Sequence, residues 1–469
     1  MEFSEDFNEA QELEMALEKF ESMLKSREEV FFDVEEIELV VDHFIDNQNN
    51  NRAKKAISVG CSQHPYSLEL KIKEAEVLLA SGKSTQALDS LLKLAAIERS
   101  NVDILMLISG IYSRQKNHLK AIEFLTKALS NADETESEDI YFDLGLELEY
   151  SGKFEDALEI FKEILTKSPE NDAVGYELLY CYSELDKCEE AVSFFNEFVD
   201  NNPYSFLGWY NLGISYSKIN LFEKAALAFD YCTLIEPEVS LPYYQKAFMY
   251  LESGDYRKAL ETYQDCMETD ENSAILYTYV GECHEKLDEY QEAIQSYAKA
   301  IELDENLADA WLGIGVVYDL IGDTEQGIPY LRKAAELNNA GDYVLVYCEA
   351  LTKAGQFDEA ESIYKALETK EDRNTSYWLD YSNLHAECYG LESALYILDK
   401  GNAKINSDLF ATRKAALLFK FGMTAEGTLL IEDLLESNAF KYEDFLDYYP
   451  DGEKLSLLSE LIDLHKNFR

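Results

Sequence analysis

The sequence predicts an all-α repeat array. Two observations carry this: a 34-residue spacing that runs through the prolines and alanines, and a composition rich in core-forming residues with few helix breakers. Pro169, Pro203 and Pro237 lie 34 residues apart, and Pro65 falls close to three such periods before Pro169. The same beat returns at Ala53, Ala87, Ala121, Ala157, Ala191, Ala225, Ala259 and Ala293, then at Gly327, Ala360, Ala394 and Thr428. The 469 residues are 47% hydrophobic and 13% aromatic, with 7 prolines and 21 glycines, which suits a folded chain with ample core material.

The elements follow in order. Phe7, Ala10, Leu13, Leu17, Phe20 and Leu24 recur at helical spacing, so residues 1–33 read as an amphipathic capping helix. Residues 34–442 divide into about twelve repeats that start at Val34, Leu68, Val102, Glu138, Asp172, Phe206, Ser240, Ala274, Ala308, Gly341, Thr375 and Leu409. The end repeats are degenerate. Val34–Ser67 keeps mainly Ala53 and Pro65, and the last repeat has Thr428 and Glu432 where small or apolar residues belong. Beyond Pro450 and Gly452, Leu455, Leu458 and Ile462 return to helical spacing, so residues 443–469 read as a second cap over an otherwise exposed terminal core.

The best-preserved repeat, Phe206–Val239, contains Trp209, Leu212, Gly213 and Tyr216, then Ala225 and Phe229, then Pro237. It resembles the tetratricopeptide repeat family at every signature position. Looser versions carry Tyr141, Gly145, Phe161 and Pro169 upstream, and Tyr243, Tyr250 and Tyr263, then Tyr277, Gly281 and Tyr297, then Trp311, Gly315 and Tyr318 downstream. The resemblance implies helix–turn–helix repeats stacked into a right-handed α-solenoid superhelix. In it Gly145, Gly213, Gly281 and Gly315 let paired helices approach, and the alanines do the same from the second helix. Trp209, Tyr216, Phe229, Tyr263 and Tyr297 fill the wedge between pairs, and proline ends the second helix. One departure stands out: Gly327 replaces the helix alanine and Pro329 falls inside the second helix. This predicts a kink or late helix start at Gly327–Pro329, read either as a soft joint or as a locally shortened helix.

Charge narrows the function. With 41 Lys+Arg against 92 Asp+Glu, the net charge of −51 argues against nucleic acid or anionic lipid as the main ligand. The N-terminal MEFSEDFNEAQELE lacks the basic-then-apolar order of a secretory signal, and no long uncharged apolar run is available for membrane insertion. Eight cysteines without a C-x-x-C pair fit a reducing compartment, so cytoplasmic residence is expected. Catalytic, metal and cofactor residues are not expected. The six histidines are scattered, no H-E-x-x-H or phosphate-binding glycine loop occurs, and Cys283 and His284, adjacent on a helix, point in different directions. Cys232 and Cys266 share one repeat position and read as core filler.

In this family the inner surface comes from the first helix of each pair, chiefly its second, fifth, ninth, twelfth and thirteenth positions. Carried onto this sequence, those positions hold Phe142, Leu146, Tyr150, Tyr176, Tyr180, Leu207, Tyr210, Ile214, Tyr244, Phe248 and Leu251, whereas the four repeats from Ala274 to Asp408 place no aromatic there. Two readings stay open: a recognition groove for an extended or helical segment of a protein partner, or rings that pack the solenoid wall. Across these repeats the same positions hold eleven acids against Lys218, Lys286 and Lys353, which favours a basic or amphipathic partner segment. The carboxylate clamp some relatives use on chaperone C-termini is not expected, because Asn211 is followed by Gln245 and Tyr279 and has no cations beside it. A non-enzymatic scaffold or adaptor is the expected function. The alternative is a structural subunit that docks through the convex face or the caps.

Overall fold

The computed structural model describes residues 2–26, 29–267, 273–368, 374–437 and 439–454. Among them the chain is helical with no strand, as an α-solenoid of paired helices requires. It forms two compact bodies, Met1–Glu236 and Pro237–Arg469. In the N-terminal body a helix Glu2–Ser26 precedes helix pairs whose first members begin at Val34, Leu68, Val102, Glu134, Asp172 and Phe206. In the C-terminal body the first members begin at Ser240, Ala274, Ala308, Gly341, Thr375 and Asp408, and a short helix Tyr442–Tyr448 follows the last pair. The expected helix through Leu455, Leu458 and Ile462 lies outside the described residues.

Small residues set the packing inside each pair. All ten alanines of the 34-residue series are fully buried, from Ala53 to Ala394. Opposite them, a Cβ added to Gly145 would lie 2.5 Å from the Phe161 ring, one on Gly213 2.7 Å from Phe229, and one on Gly281 2.7 Å from Tyr297. The ring of the second helix therefore rests directly on the backbone of the first. Tyr297 also reaches the next pair, where a Cβ on Gly313 would sit 2.3 Å from it. The wedge between repeats is thus filled by one ring held between two glycines. Tyr216 bridges backwards, its hydroxyl donating to Asn196 Oδ1 at 3.2 Å. Trp209 does a different job: its indole N–H donates to the Pro203 carbonyl at 2.9 Å and ties down the loop between repeats, as Trp311 does to Glu305.

The loop between the two helices of a pair is equally regular. Twelve residues of the described chain have positive φ, and each stands at this turn, one per repeat: Gln48, Gly82, Lys116, Gly152, Asp186, Asn220, Gly254, Asp288, Gly322, Gly355, Gly390 and Gly422. A left-handed residue just past a helix lets the next N–H turn back onto a carbonyl of the last turn. Asn117 N–H reaches Tyr112 at 2.9 Å, Lys153 reaches Leu148 at 2.9 Å and Asp323 reaches Tyr318 at 2.9 Å. First helices start on side-chain caps, among them Asn101, Asn171, Ser205 and Ser273.

Two expectations need correction. In the last repeat Gly427, not Thr428, is the buried small residue, and a Cβ there would meet the Phe419 ring at 2.7 Å. The first helix accordingly begins at Asp408, one residue before Leu409. The late start or shortening expected at Gly327–Pro329 does not occur: the helix runs from Thr324 to Leu337, 14 residues, like Tyr290–Leu303 before it. Gly327 serves close approach, because a Cβ there would lie 2.7 Å from the Gly315 carbonyl oxygen. Pro329 is exposed, and the carbonyl it leaves without a donor belongs to exposed Glu325, within reach of water.

At the N-terminal end Ala16 and Phe20 of the leading helix are buried among Phe32, Ile37, Val40, Val41 and Phe44, and Lys19 pairs with Glu36 at 2.6 Å. The helix thus covers the apolar face of the first pair.

Gly213→Ala should destabilise the protein by about 1–3 kcal/mol, because Phe229 has no room to retreat. Pro329→Ala should act oppositely and gain about 2 kcal/mol, the restored helix bond outweighing the lost rigidity of the unfolded chain. Shifts in urea midpoint for the two variants measured together check both.

Candidate partner-binding face

In the N-terminal body, three first helices carry most of the expected groove residues: Glu134–Tyr150, Asp172–Glu184 and Phe206–Lys218. Their rings divide into two sets. Tyr150, Tyr176 and Tyr180 are 59%, 48% and 45% exposed. Phe142, Leu146, Tyr210 and Ile214 are half-buried. Phe142 leans on Phe161 at 6.1 Å between ring centres, and Tyr210 stacks on Phe206 at 6.1 Å and sets its edge to Phe229 at 5.6 Å. These inner rings are wall packing. The outer rings are braced by edge contacts, Tyr176 on Tyr210 at 6.5 Å and Tyr180 on Phe154 at 6.1 Å, while a large part of each stays in solvent.

Leu207 is a correction. At 3% exposure it is not a groove contact; it fills the space above Gly175, where a Cβ would meet it at 2.4 Å. It forms the floor of a cleft of about 560 Å³ that Tyr176, Tyr204, Phe206 and Glu236 also line.

In the C-terminal body Phe248 is exposed and Leu251 half-buried. Tyr244 is part of a packed cluster, edge-on to Tyr263 and Tyr279 at 6.2 Å each, with its hydroxyl 3.1 Å from Ser273 Oγ. The last repeats hold a feature that sequence reasoning missed. The helix Tyr442–Tyr448 brings Tyr448 onto their first helices, where its hydroxyl donates to Asn383 Oδ1 at 2.9 Å and the Arg413 guanidinium lies 4.0 Å from its ring centre. Asp380 stands in the same small pocket, its carboxyl pushed up to about 6 by burial and by the charge of Glu349 against the opposing pull of Arg413. A face that lacks aromatics of its own is supplied with one from beyond the array. The only signal in the sequence is the pair Tyr448–Tyr449, which belongs to no repeat position.

Ion pairs between neighbouring first helices occur in both bodies, in the N-terminal one where Lys73 reaches Asp42 at 2.9 Å. In the C-terminal body, acids on the first helices meet cations of the neighbouring repeat: Lys353 reaches Asp319 at 2.7 Å and Lys420 reaches Glu387 at 2.8 Å, while Lys353 also pairs within its own helix with Glu349 at 3.0 Å. In the N-terminal body Glu147 is buried against His118, at 2.8 Å from its Nδ1. Glu149 has no such partner. It is 9% exposed, its Oε2 has no hydrogen-bond partner, and burial followed by the charges of Glu177 and Glu184 pushes its carboxyl up to about 7. Like charges so near one another favour the protonated form of the Glu149 carboxyl.

Family models described as tetratricopeptide repeat match residues 149–203 and, separately, 102–135, 242–273 and 308–340; one described as TPR repeat matches residues 286–322. The chain is a tetratricopeptide repeat protein. It is thereby built as a protein-interaction scaffold. Solved structures of other tetratricopeptide arrays resemble parts of it. One is YrrB, described as a TPR protein with an unusual peptide-binding site, at 20% identity over 39% of this chain and 94% of that one, TM-score 0.33. Another is pilF of Pseudomonas aeruginosa, at 18% identity over 43% and 92%, TM-score 0.36. A third is MamA from Desulfovibrio magneticus RS-1, at 18% identity over 36% and 97%, TM-score 0.33. No curated protein matches the chain.

Among tetratricopeptide arrays with a carboxylate clamp, the asparagine at the place of Asn211 grips the ligand. Here Asn211 is fully buried and its Nδ2 donates to the Gly175 carbonyl at 3.0 Å, which holds two first helices together. Cys232 and Cys266 are buried thiols that donate to the Phe206 and Ser240 carbonyls, and burial pushes Cys232 up to about 12, far from a reactive thiolate. His284 turns to Glu289 at 2.7 Å, away from buried Cys283. Among the described residues no three acidic, imidazole or thiol groups are close enough to hold a metal, and no helix is long and apolar enough to cross a membrane.

The state of Glu149 is open to measurement. Between pH 4.5 and about 7 the folded protein holds a proton there that the unfolded chain releases, so stability falls as pH rises through this window. Glu149→Gln removes the effect. Its melting temperature should exceed that of the native protein at pH 8, and the gap should close at pH 4.5 in parallel thermal scans.

Proposed function

We propose that this tetratricopeptide protein is a non-catalytic adaptor that holds an extended basic segment of a protein partner along the first-helix face of its N-terminal body. One observation carries the reading: three exposed tyrosines, Tyr150, Tyr176 and Tyr180, share two neighbouring first helices with Glu149, Glu177 and Glu184, which form no ion pair among the described residues. Tyrosine presents a large contact area with little side-chain freedom to lose and a hydroxyl for a partner's backbone. The surrounding acid draws basic segments and repels nucleic acid and anionic membranes. The eight free cysteines suit a reducing, cytoplasmic setting.

A second reading has its own support. On the helix Phe222–Ile235, Leu227, Tyr231 and Leu234 are 56%, 41% and 72% exposed and recur at i, i+4 and i+7, an apolar stripe that suits permanent docking in a larger assembly.

Affinity enrichment separates the two. Under the adaptor reading, Tyr150→Ala/Tyr176→Ala/Tyr180→Ala, shown folded by circular dichroism, loses at least ~90% of the partner recovered by the native protein. Leu227→Asp/Leu234→Asp then keeps it. The reverse pattern establishes the subunit reading, and Tyr244→Ala/Phe248→Ala reports on the C-terminal body alone.

A further inference from the structure

We infer that Glu149, Glu177 and Glu184 form a receptor for a single lysine or arginine side chain of the partner, an inference that rests on the adaptor reading and names the chemistry of its central contact.

The strongest argument is internal to the repeat. Asp319 is the twelfth residue of the repeat starting at Ala308, and Lys353 is the thirteenth of the next, and they form an ion pair at 2.7 Å. The equivalent places in the repeats starting at Glu138 and Asp172 hold Glu149 and Glu184. The scaffold that elsewhere sets a lysine against an acid here sets an acid against an acid. The site therefore lacks the cation that the same geometry supplies further along the chain.

The rest of the site fits that vacancy of charge. Glu177 and Glu184 are seven residues apart on the helix Asp172–Glu184 and so share one side of it, with Tyr180 between them. Glu149, from the last turn of Glu134–Tyr150, comes from the neighbouring first helix. Its Oε2 is buried and unpartnered, and a like charge beside it costs stability that a cation would return. Glu184 foremost, with Glu149 and Glu177, holds the exposed Tyr180 phenol above its usual range, so the hydroxyl sits within the field of all three carboxylates. Its ring offers the face that an ammonium or guanidinium prefers. The group is not arranged for a metal ion: no metal-holding cluster occurs among the described residues. A cationic side chain on an extended segment, its neighbours lying along Tyr150 and Tyr176, satisfies every element.

The test uses the full chain and a phage-displayed library of random peptides. The native protein should select peptides with Lys or Arg at one fixed position, and replacing that residue by norleucine should weaken binding at least about tenfold. Glu149→Gln/Glu177→Gln should weaken it similarly. Glu184→Lys should do so most, because it rebuilds within the chain the pair seen at Asp319 and Lys353. All these substitutions relieve like-charge repulsion, so melting temperatures at or above the native value keep misfolding out of the result. The inference is overturned if selected peptides carry no fixed basic residue or bind Glu184→Lys as tightly as native. If binding then falls only for Tyr176→Ala/Tyr180→Ala, the adaptor reading survives without the cation site. If the library yields no peptide, or none whose binding responds to any change on this face, both readings fall.

Discussion

The close approach of the two helices in each repeat is the constraint on which the rest of the structure depends. A ring from the second helix lies on bare backbone of the first, Phe161 on Gly145, Phe229 on Gly213 and Tyr297 on Gly281, and a buried alanine or glycine keeps the facing side equally thin. Where both contacts are glycine, at Gly315 and Gly327, backbone meets backbone. With the second helix drawn in so far, the side of the first helix turned away from it is left open, and that side is where Tyr150, Tyr176 and Tyr180 stand. The exposed tyrosines follow from the same spacing that buries Phe161 and Phe229.

One scaffold thus presents two differently finished faces. In the C-terminal body Lys353 and Lys420 pair with acids of the first helices, and Tyr448 closes part of the last repeats. In the N-terminal body exposed tyrosines share that face with carboxylates, and burial, then the charges of Glu177 and Glu184, pushes the Glu149 carboxyl up to about 7. Repetition makes this comparison meaningful: equal backbone positions differ only in side chain, so a missing lysine is read against one that is present.

The sequence made the packing legible because small residues were demanded at a fixed interval by the same contact each time, and Ala53 through Ala394 could be read straight from the period. The slip at Thr428 arose where that interval shortened by one. A second series would have corrected it, since Gly82, Gly152, Gly254, Gly322, Gly355 and Gly422 mark the left-handed turn and put the last repeat at Asp408. Exposure was less legible. Leu207 and Tyr176 both fall at groove positions, yet only the three-dimensional pairing of Leu207 with Gly175 tells that the leucine is swallowed by its neighbour. Tyr448 could not be foreseen, because it comes from a segment that repeats nothing.

That last contact has a topological consequence. Bonds between neighbouring first helices in the last four repeats join residues 33 or 34 apart, as in Glu387 to Lys420 and Asp319 to Lys353, so each can close once two adjacent repeats have formed. Tyr448 and Asn383 are 65 apart. Their meeting requires the helix Tyr442–Tyr448 to fold back past the last repeat, a larger loop to close than any bond between neighbouring first helices needs. In a solenoid, whose order otherwise spreads from neighbour to neighbour, this hydroxyl is a non-local clasp between the last repeats and the helix Tyr442–Tyr448.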